Sequence, residues 1–130
     1  MGAVDKFLAA VESGKGAGIA ALYSDDAVLD ATVPNWRFTR RGGDAIAAEY
    51  GRWFADAAEF KELDRHSTGD AELVTYFLTW QEGGVPHGAH HSHLISVDKA
   101  SGLITYDRVF CGGRWNGDLL GQMEAAELGD

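Results

Sequence analysis

Two histidines one residue apart, His91 and His93, are followed across a short turn by the carboxylate of Asp107. An imidazole beside a carboxylate is a general base with an orienting partner. The stretch that carries them reads as a hairpin. His87 to Val97 is one strand, Asp98 to Gly102 is a turn cluster ending in a residue that tolerates positive φ, and Leu103 to Cys111 is the returning strand. If Val97 faces Leu103, then His93 lies opposite Asp107 and His91 opposite Val109. Opposed Cβ atoms are about 4.5–5.5 Å apart, close enough for a direct hydrogen bond. Side chains alternate between sheet faces, so His91, His93, Ile95, Asp107, Val109 and Cys111 share one face.

The same residues admit other chemistry. His91, His93 and Asp107 also make a two-histidine, one-carboxylate set of the kind that holds a transition metal. A strand-borne His-x-His spacing is common by accident, so the expectation is no metal and no cofactor. Cys111 on the same face is either a nucleophile or, as buried free cysteines more often are, a small hydrophobe. A purely structural histidine–carboxylate pair fits the spacing equally. His66 beside a turn, and His87 and His90 at an edge or on the other face, are expected to be solvated.

These groups need a scaffold. Val4, Phe7, Leu8 and Val11 recur at i, i+3, i+4 and i+7, one apolar stripe of a helix that Ser13-Gly14 stops. A short second helix carries Ile19, Leu22 and Tyr23, and Ser24-Asp25-Asp26 turns the chain into a strand. From Ala27 to Val33 the odd positions are apolar, so Asp30 points away from the core. Pro34-Asn35 breaks the strand, and Trp36 to Arg41 alternates large apolar with basic residues. Gly42-Gly43-Asp44 then starts a helix whose stripe is Ile46, Tyr50, Trp53, Phe54 and Ala57. Strands follow at Glu59 to His66 and Glu72 to Gln81, the second setting Val74, Tyr76, Leu78 and Trp80 against Leu73, Thr75, Phe77 and Thr79. Leu119, Leu120 and Met123 mark a last helix after Asn116-Gly117-Asp118, folded over one end of the sheet. The order is helix, helix, strand, helix, four strands, an α+β arrangement with helices on one face of a curved antiparallel sheet.

With 130 residues and 45% hydrophobic composition, the chain reads as a single domain spanning 1–130. A net charge of −9 repels phosphate backbones and anionic membranes, so neither nucleic acid nor membrane is an expected partner. Arg37, Arg40 and Arg41 form the only basic cluster in the sequence. One cysteine cannot make an internal disulfide, and the first residues show no basic segment followed by an apolar run, so the expected location is cytoplasmic.

The strings YSDDAVLDATV, GGDAIAAEY and SGLITYDRVF, with VPNWRFTRRG and CGGRW, resemble the nuclear transport factor 2-like, or SnoaL-like, cone-fold superfamily over nearly the whole chain. The resemblance implies a sheet wrapped around the N-terminal helices to form a cone with an internal, mostly apolar pocket. Ketosteroid isomerases of that superfamily carry an oxyanion-hole tyrosine, a basic aspartate and a protonated aspartate where this chain has Phe7, Ala31 and His93. The resemblance therefore does not extend to their reaction. It retains a pocket tyrosine as Tyr50 and puts Tyr76, Leu78, Trp80, His91, His93, Asp107 and Cys111 on the cavity face. Scytalone dehydratase, a relative with pocket histidines and tyrosines, removes water from a hydroxyketone.

By that likeness the implied activity is a cofactor-independent dehydratase or isomerase of an enolisable substrate. His93 would be the acid or base, Asp107 its orienter, and Tyr50 or Tyr76 the donor to an oxyanion. Trp36, Trp53, Phe54, Leu78, Trp80, His91 and Cys111 would hold the small ligand. The alternative is a non-catalytic ligand-binding or interaction module, since fold alone does not establish chemistry. Leu73, Phe77, Leu94, Ile104, Tyr106 and Phe110 on the outer sheet face would form a patch suited to a homodimer.

Overall fold

The computed structural model describes residues 2–14, 16–55 and 57–129. Helix α1 (Ala3–Ser13) leads to a 3₁₀ helix (Gly16–Leu22), then β1 (Tyr23–Val33), β2 (Trp36–Arg41), α2 (Gly43–Phe54), β3 (Ala57–Thr68), β4 (Ala71–Glu82), β5 (Val85–Val97), β6 (Ile104–Cys111), β7 (Trp115–Asn116) and α3 (Gly117–Gly129). One sheet runs in the order β2-β1-β6-β5-β4-β3, with β7 beside β5. It wraps without closing around α1, α2 and the 3₁₀ helix, which is the expected α+β cone.

An isolated helix of 11 residues is marginal in water. Helix α1 is therefore held by its buried stripe, Val4, Phe7, Leu8 and Val11, at about 1.5–3 kcal/mol for each large side chain withdrawn from water. Helix α2 buries Ile46, Ala47, Glu49, Tyr50 and Phe54 and lies close against the 3₁₀ helix. A Cβ at Gly43 would collide with the Ala20 carbonyl, so only glycine permits this approach. The helix stops at Phe54, and Ala57, expected on its stripe, belongs to β3.

Three other elements differ from expectation. Trp36–Arg41 is a strand, returning antiparallel on β1 through Asn35, whose φ of 64° closes a two-residue turn. The second helix is 3₁₀, and Tyr23 opens β1, so the Ser24-Asp25-Asp26 segment is irregular strand instead of a turn. The sheet is antiparallel except where β1 runs parallel to β6. Such a pairing joins strands far apart in sequence and leaves no local signal.

The β5–β6 hairpin is displaced by two residues from the expected register. Ile95, not His93, faces Asp107; His93 faces Val109; His91 faces Cys111. The cause is the turn. Asp98 accepts hydrogen bonds from the backbone N–H groups of Ala100 and Ser101 and donates its own N–H to the Leu103 carbonyl, so Leu103 belongs to the turn. An irregularity between Ser96 and Val97 then pairs Val97 with Ile104. A shift of two keeps every side chain on its face. Ile104, however, sits beyond the irregularity and is fully buried in the core, not on the outer face.

Candidate functional site

The concave face of β4, β5 and β6 meets α2 and β1 in a chain of buried polar groups. Asp107 is its anchor. Its Oδ2 accepts hydrogen bonds from the Tyr50 hydroxyl at 2.8 Å and the Tyr23 hydroxyl at 3.0 Å. Its Oδ1 lies 2.9 Å from His93 Nδ1. The Tyr76 hydroxyl is 2.8 Å from His93 Nε2 and 3.2 Å from His91 Nδ1. His93 and Asp107 therefore do meet, but along a diagonal of the ladder and not as opposed residues. Phe7 closes the cluster from α1, its ring 5.1 Å from that of His93.

Three of the roughly four lone-pair sites of the Asp107 carboxylate are therefore occupied by buried donors. Burial pushes the Tyr23, Tyr50 and Tyr76 phenols well above the ordinary tyrosine range, and the negative charge of Asp107 adds to it. All three remain hydrogen donors, and none is a base. Burial foremost, and then the electrostatic influence of the neighbouring His93 and His90, holds His91 down to about 3. At neutral pH His91 is an uncharged imidazole.

Beside this network lies a cavity of about 450 Å³, within the range of small-molecule sites. Phe38, Trp53, Leu78, Trp80, His91 and Cys111 line it, with Val33 and Pro34. Two pairs of opposite charge complete the wall. Arg52 lies 3.0 Å from Glu49, and Arg114 lies 2.8 Å from Glu82 with its guanidinium over the Trp80 ring. Glu49 also accepts from Trp53 Nε1 and pairs with Arg40, which fixes the Trp53 indole against His91.

The expected site residues separate into two groups. Trp53, Leu78, Trp80, His91 and Cys111 line the cavity; His93, Asp107, Tyr50 and Tyr76 are fully buried and none of them lines it. Phe54 is buried in the core, its ring 6.0 Å from that of His91. Trp36 stands 70% exposed on β2, outside the lining, because β2 is an edge strand. His66 and His90 are exposed, whereas His87 is half-buried and stacked on Trp80. Burial pushes the Cys111 thiol up, and its Sγ contacts the Gly113 carbonyl, which suits an inert wall residue better than a nucleophile.

Sequence reasoning missed Tyr23, Phe38 and the charged wall residues. Tyr23 was assigned to a helical stripe, yet a tyrosine between an apolar helix end and a strand start is a hydroxyl that needs a buried acceptor. Phe38 alternates with Arg37 and Thr39, which was the available strand signal. Asp30 faces away from the core as expected, yet it too is buried, beneath Arg37 at 2.7 Å and the Tyr106 hydroxyl at 3.0 Å. Among the described residues, no three histidine, cysteine or acidic side chains are grouped to hold a metal ion. Both His93 nitrogens are engaged by Asp107 and Tyr76.

A wrapped sheet closed by helices, with an aromatic cavity and a buried histidine–carboxylate network behind it, defines a cone-fold protein with a pocket of small-molecule size. Residues 4–106 match the SnoaL-like domain, and the chain belongs to that family. No curated protein matches it. Among solved structures it is similar to a protein from Xanthomonas campestris with a cystatin-like fold, at 20% identity and a TM-score of 0.68 over 86% of this chain and 92% of that one. It is similar to an NTF-2 like protein from Burkholderia xenovorans, at 17% identity and a TM-score of 0.66 over 85% and 80%. A protein of ketosteroid isomerase-like fold from Catenulispora acidiphila, solved in complex with trimethylamine, matches at 16% identity and 0.65 over 82% of each chain. Likeness at these identities concerns the fold.

Proposed function

We propose that the chain binds a small, mostly apolar and enolisable molecule in the cavity and moves a proton on it, as an isomerase or dehydratase that needs no cofactor. The ligand class follows from the wall. Phe38, Trp53, Leu78 and Trp80 supply apolar contact, and two glutamates balanced by two arginines leave no net charge to hold an ion. The base is His91. One observation carries this: His91 is the one member of the histidine–tyrosine–carboxylate network that lines the cavity, and its Nε2 has no hydrogen-bond partner among the described residues. No fully buried polar side-chain atom among those residues lacks a partner, so Nε2 is accessible and available to a ligand. His93 and Asp107 act from behind it.

Exchange of α-hydrogens for deuterium tests the reading. A panel of aryl β-hydroxyketones in deuterium oxide is followed by proton NMR with wild type and His91→Ala. The expected result is exchange above buffer for at least one member, reduced about 10²-fold or more in the variant, and a change in indole fluorescence as the ligand enters beside Trp53 and Trp80. Burial of His93, Asp107, Tyr50 and Tyr76 favours the second reading, a ligand-binding module without chemistry. A saturable fluorescence change without exchange would select that reading.

We also propose self-association through the outer sheet face. Leu73 is 40% and Phe110 49% exposed there, with half-buried Leu94 and Phe77 between the same strands, although Ile104 contributes nothing to the patch. No described helix is long and apolar enough to cross a membrane, and a dimer is the expected form. Light scattering at micromolar concentration should return twice the chain mass, falling toward one chain in Leu73→Lys with Phe110→Lys. A wild-type monomer would remove the proposal.

A further inference from the structure

We propose that Tyr76 passes a proton between His91 at the cavity wall and the buried His93–Asp107 pair, so that the charge of a proton taken from a ligand comes to rest on His93. This inference rests on the reading of His91 as the cavity base.

The hydrogen bonds have only one consistent direction when both imidazoles are neutral. The Asp107 carboxylate can only accept, so the hydrogen in its 2.9 Å contact is on His93 Nδ1. Neutral His93 then has a lone pair on Nε2, which accepts the single hydroxyl hydrogen of Tyr76 across 2.8 Å. With that hydrogen committed, the Tyr76 oxygen accepts, and the hydrogen in its 3.2 Å contact comes from His91 Nδ1. A neutral imidazole carries one hydrogen. His91 Nε2 is therefore left with a lone pair, at the atom that has no partner among the described residues. The carboxylate at one end of the chain sets which way the imidazole at the other end presents itself to the cavity.

The transfer balances. A ligand C–H breaks and its proton forms an N–H bond at His91 Nε2. His91 Nδ1 gives its hydrogen to the Tyr76 oxygen, and the Tyr76 hydroxyl hydrogen passes to His93 Nε2. Three bonds to hydrogen break and three form. His91 ends neutral with its hydrogen on Nε2, Tyr76 ends neutral, and the imidazolium is His93, beside the Asp107 carboxylate. The electron pair stays on the ligand as an enolate. Nε2–H now points at that enolate and can return a proton to another carbon or to a departing hydroxyl, which are the isomerase and dehydratase outcomes. Burial makes a resident charge on His91 unfavourable, while His93 has a carboxylate at hydrogen-bond distance to offset it. Tyr76 is a positioning residue in this scheme. It touches no ligand, since it is fully buried and does not line the cavity.

Nitrogen-15 NMR of the histidine rings in the intact labelled chain at neutral pH, without ligand, reads each tautomer directly. The expected result in wild type is Nδ1–H for both His91 and His93. Tyr76→Phe should leave His93 as Nδ1–H and release His91 from that form, and with any ketone that supports exchange it should lower kcat about 10²-fold with KM little changed. An Nε2–H His91 in wild type would overturn the proposal, because the chain would then run the other way. So would a His91 tautomer unaltered by Tyr76→Phe. The wild-type spectrum needs no variant to fold and no substrate to be known, so it decides the direction of the hydrogen-bond chain whether or not ketone exchange is observed, and the Tyr76→Phe effect on kcat decides the transfer.

Discussion

Asp107→Asn lowers the free energy of unfolding by about 3–5 kcal/mol, the loss of two or more buried hydrogen bonds to a charged acceptor at about 1.5–3 kcal/mol each. The carboxylate receives hydrogens from Tyr23, Tyr50 and His93 in a site with no exposure to solvent. Asparagine has one accepting oxygen and one donating nitrogen. Its amide hydrogens would face groups that are donors themselves, and at least one tyrosine hydroxyl must turn its hydrogen toward a place with no acceptor. Each donor left unpaired in the interior costs about 1–3 kcal/mol. Tyr23→Phe removes one donor and leaves the carboxylate with two, so its cost is smaller, about 1.5–3 kcal/mol for a lost hydrogen bond to a charged group. Urea unfolding with an unchanged slope measures both. An asparagine variant within 1 kcal/mol of wild type, or a reversed order of the two, would show that the three bonds to Asp107 contribute little. Domains of this size have about 5–15 kcal/mol in total, so the asparagine variant should also be more easily degraded.

The second large effect is on pH dependence, and its sign follows from His91. The unfolded imidazole titrates near 6.5, whereas the folded one is held down to about 3 by burial. Between those values the unfolded chain binds the extra proton and the native chain does not. Stability therefore rises with pH across this window, is fully present above pH 6.5 and is lost as the pH falls toward 3. The difference between the two values sets a contribution on the order of 3–5 kcal/mol at neutral pH, at 1.36 kcal/mol per unit. Carboxylates also titrate in acid, so the informative quantity is the difference between wild type and His91→Gln, followed by urea unfolding from pH 3.5 to 7.5. That difference should change by several kcal/mol in favour of the wild type as pH rises to 6.5 and then level off. A flat difference would mean that His91 titrates in the folded protein much as it does unfolded, and that its ring is far better solvated than the geometry implies.

Much of the cone was legible without coordinates. Period-two alternation alone put His91, His93, Asp107 and Cys111 on one face, and that assignment survives the two-residue error in register because the side-chain period is also two. The same arithmetic grouped Val74, Tyr76 and Leu78 on one face, which the family resemblance turned inward, and put Asp30 outside, and helical spacing gave the buried stripes of α1 and α2. Alternation says nothing about depth along the cone. It could not tell that His91 lines the cavity while His93, one pleat further along the same strand, is sealed behind it. Nor could it expose Trp36 or bury Phe54, since both depend on which strand is an edge and how far a helix continues. Tyr23 reaches Asp107 across 84 positions of sequence, through a parallel β1–β6 pairing that no local pattern announces. The sequence by itself determined which residues of one strand or helix share a face, because sharing a face is a local property of a pleated or helical backbone. Only the tertiary structure decided which of them meet one another and which meet a ligand, because depth, diagonal contact and cavity walls are set by pairing between segments that are distant along the chain.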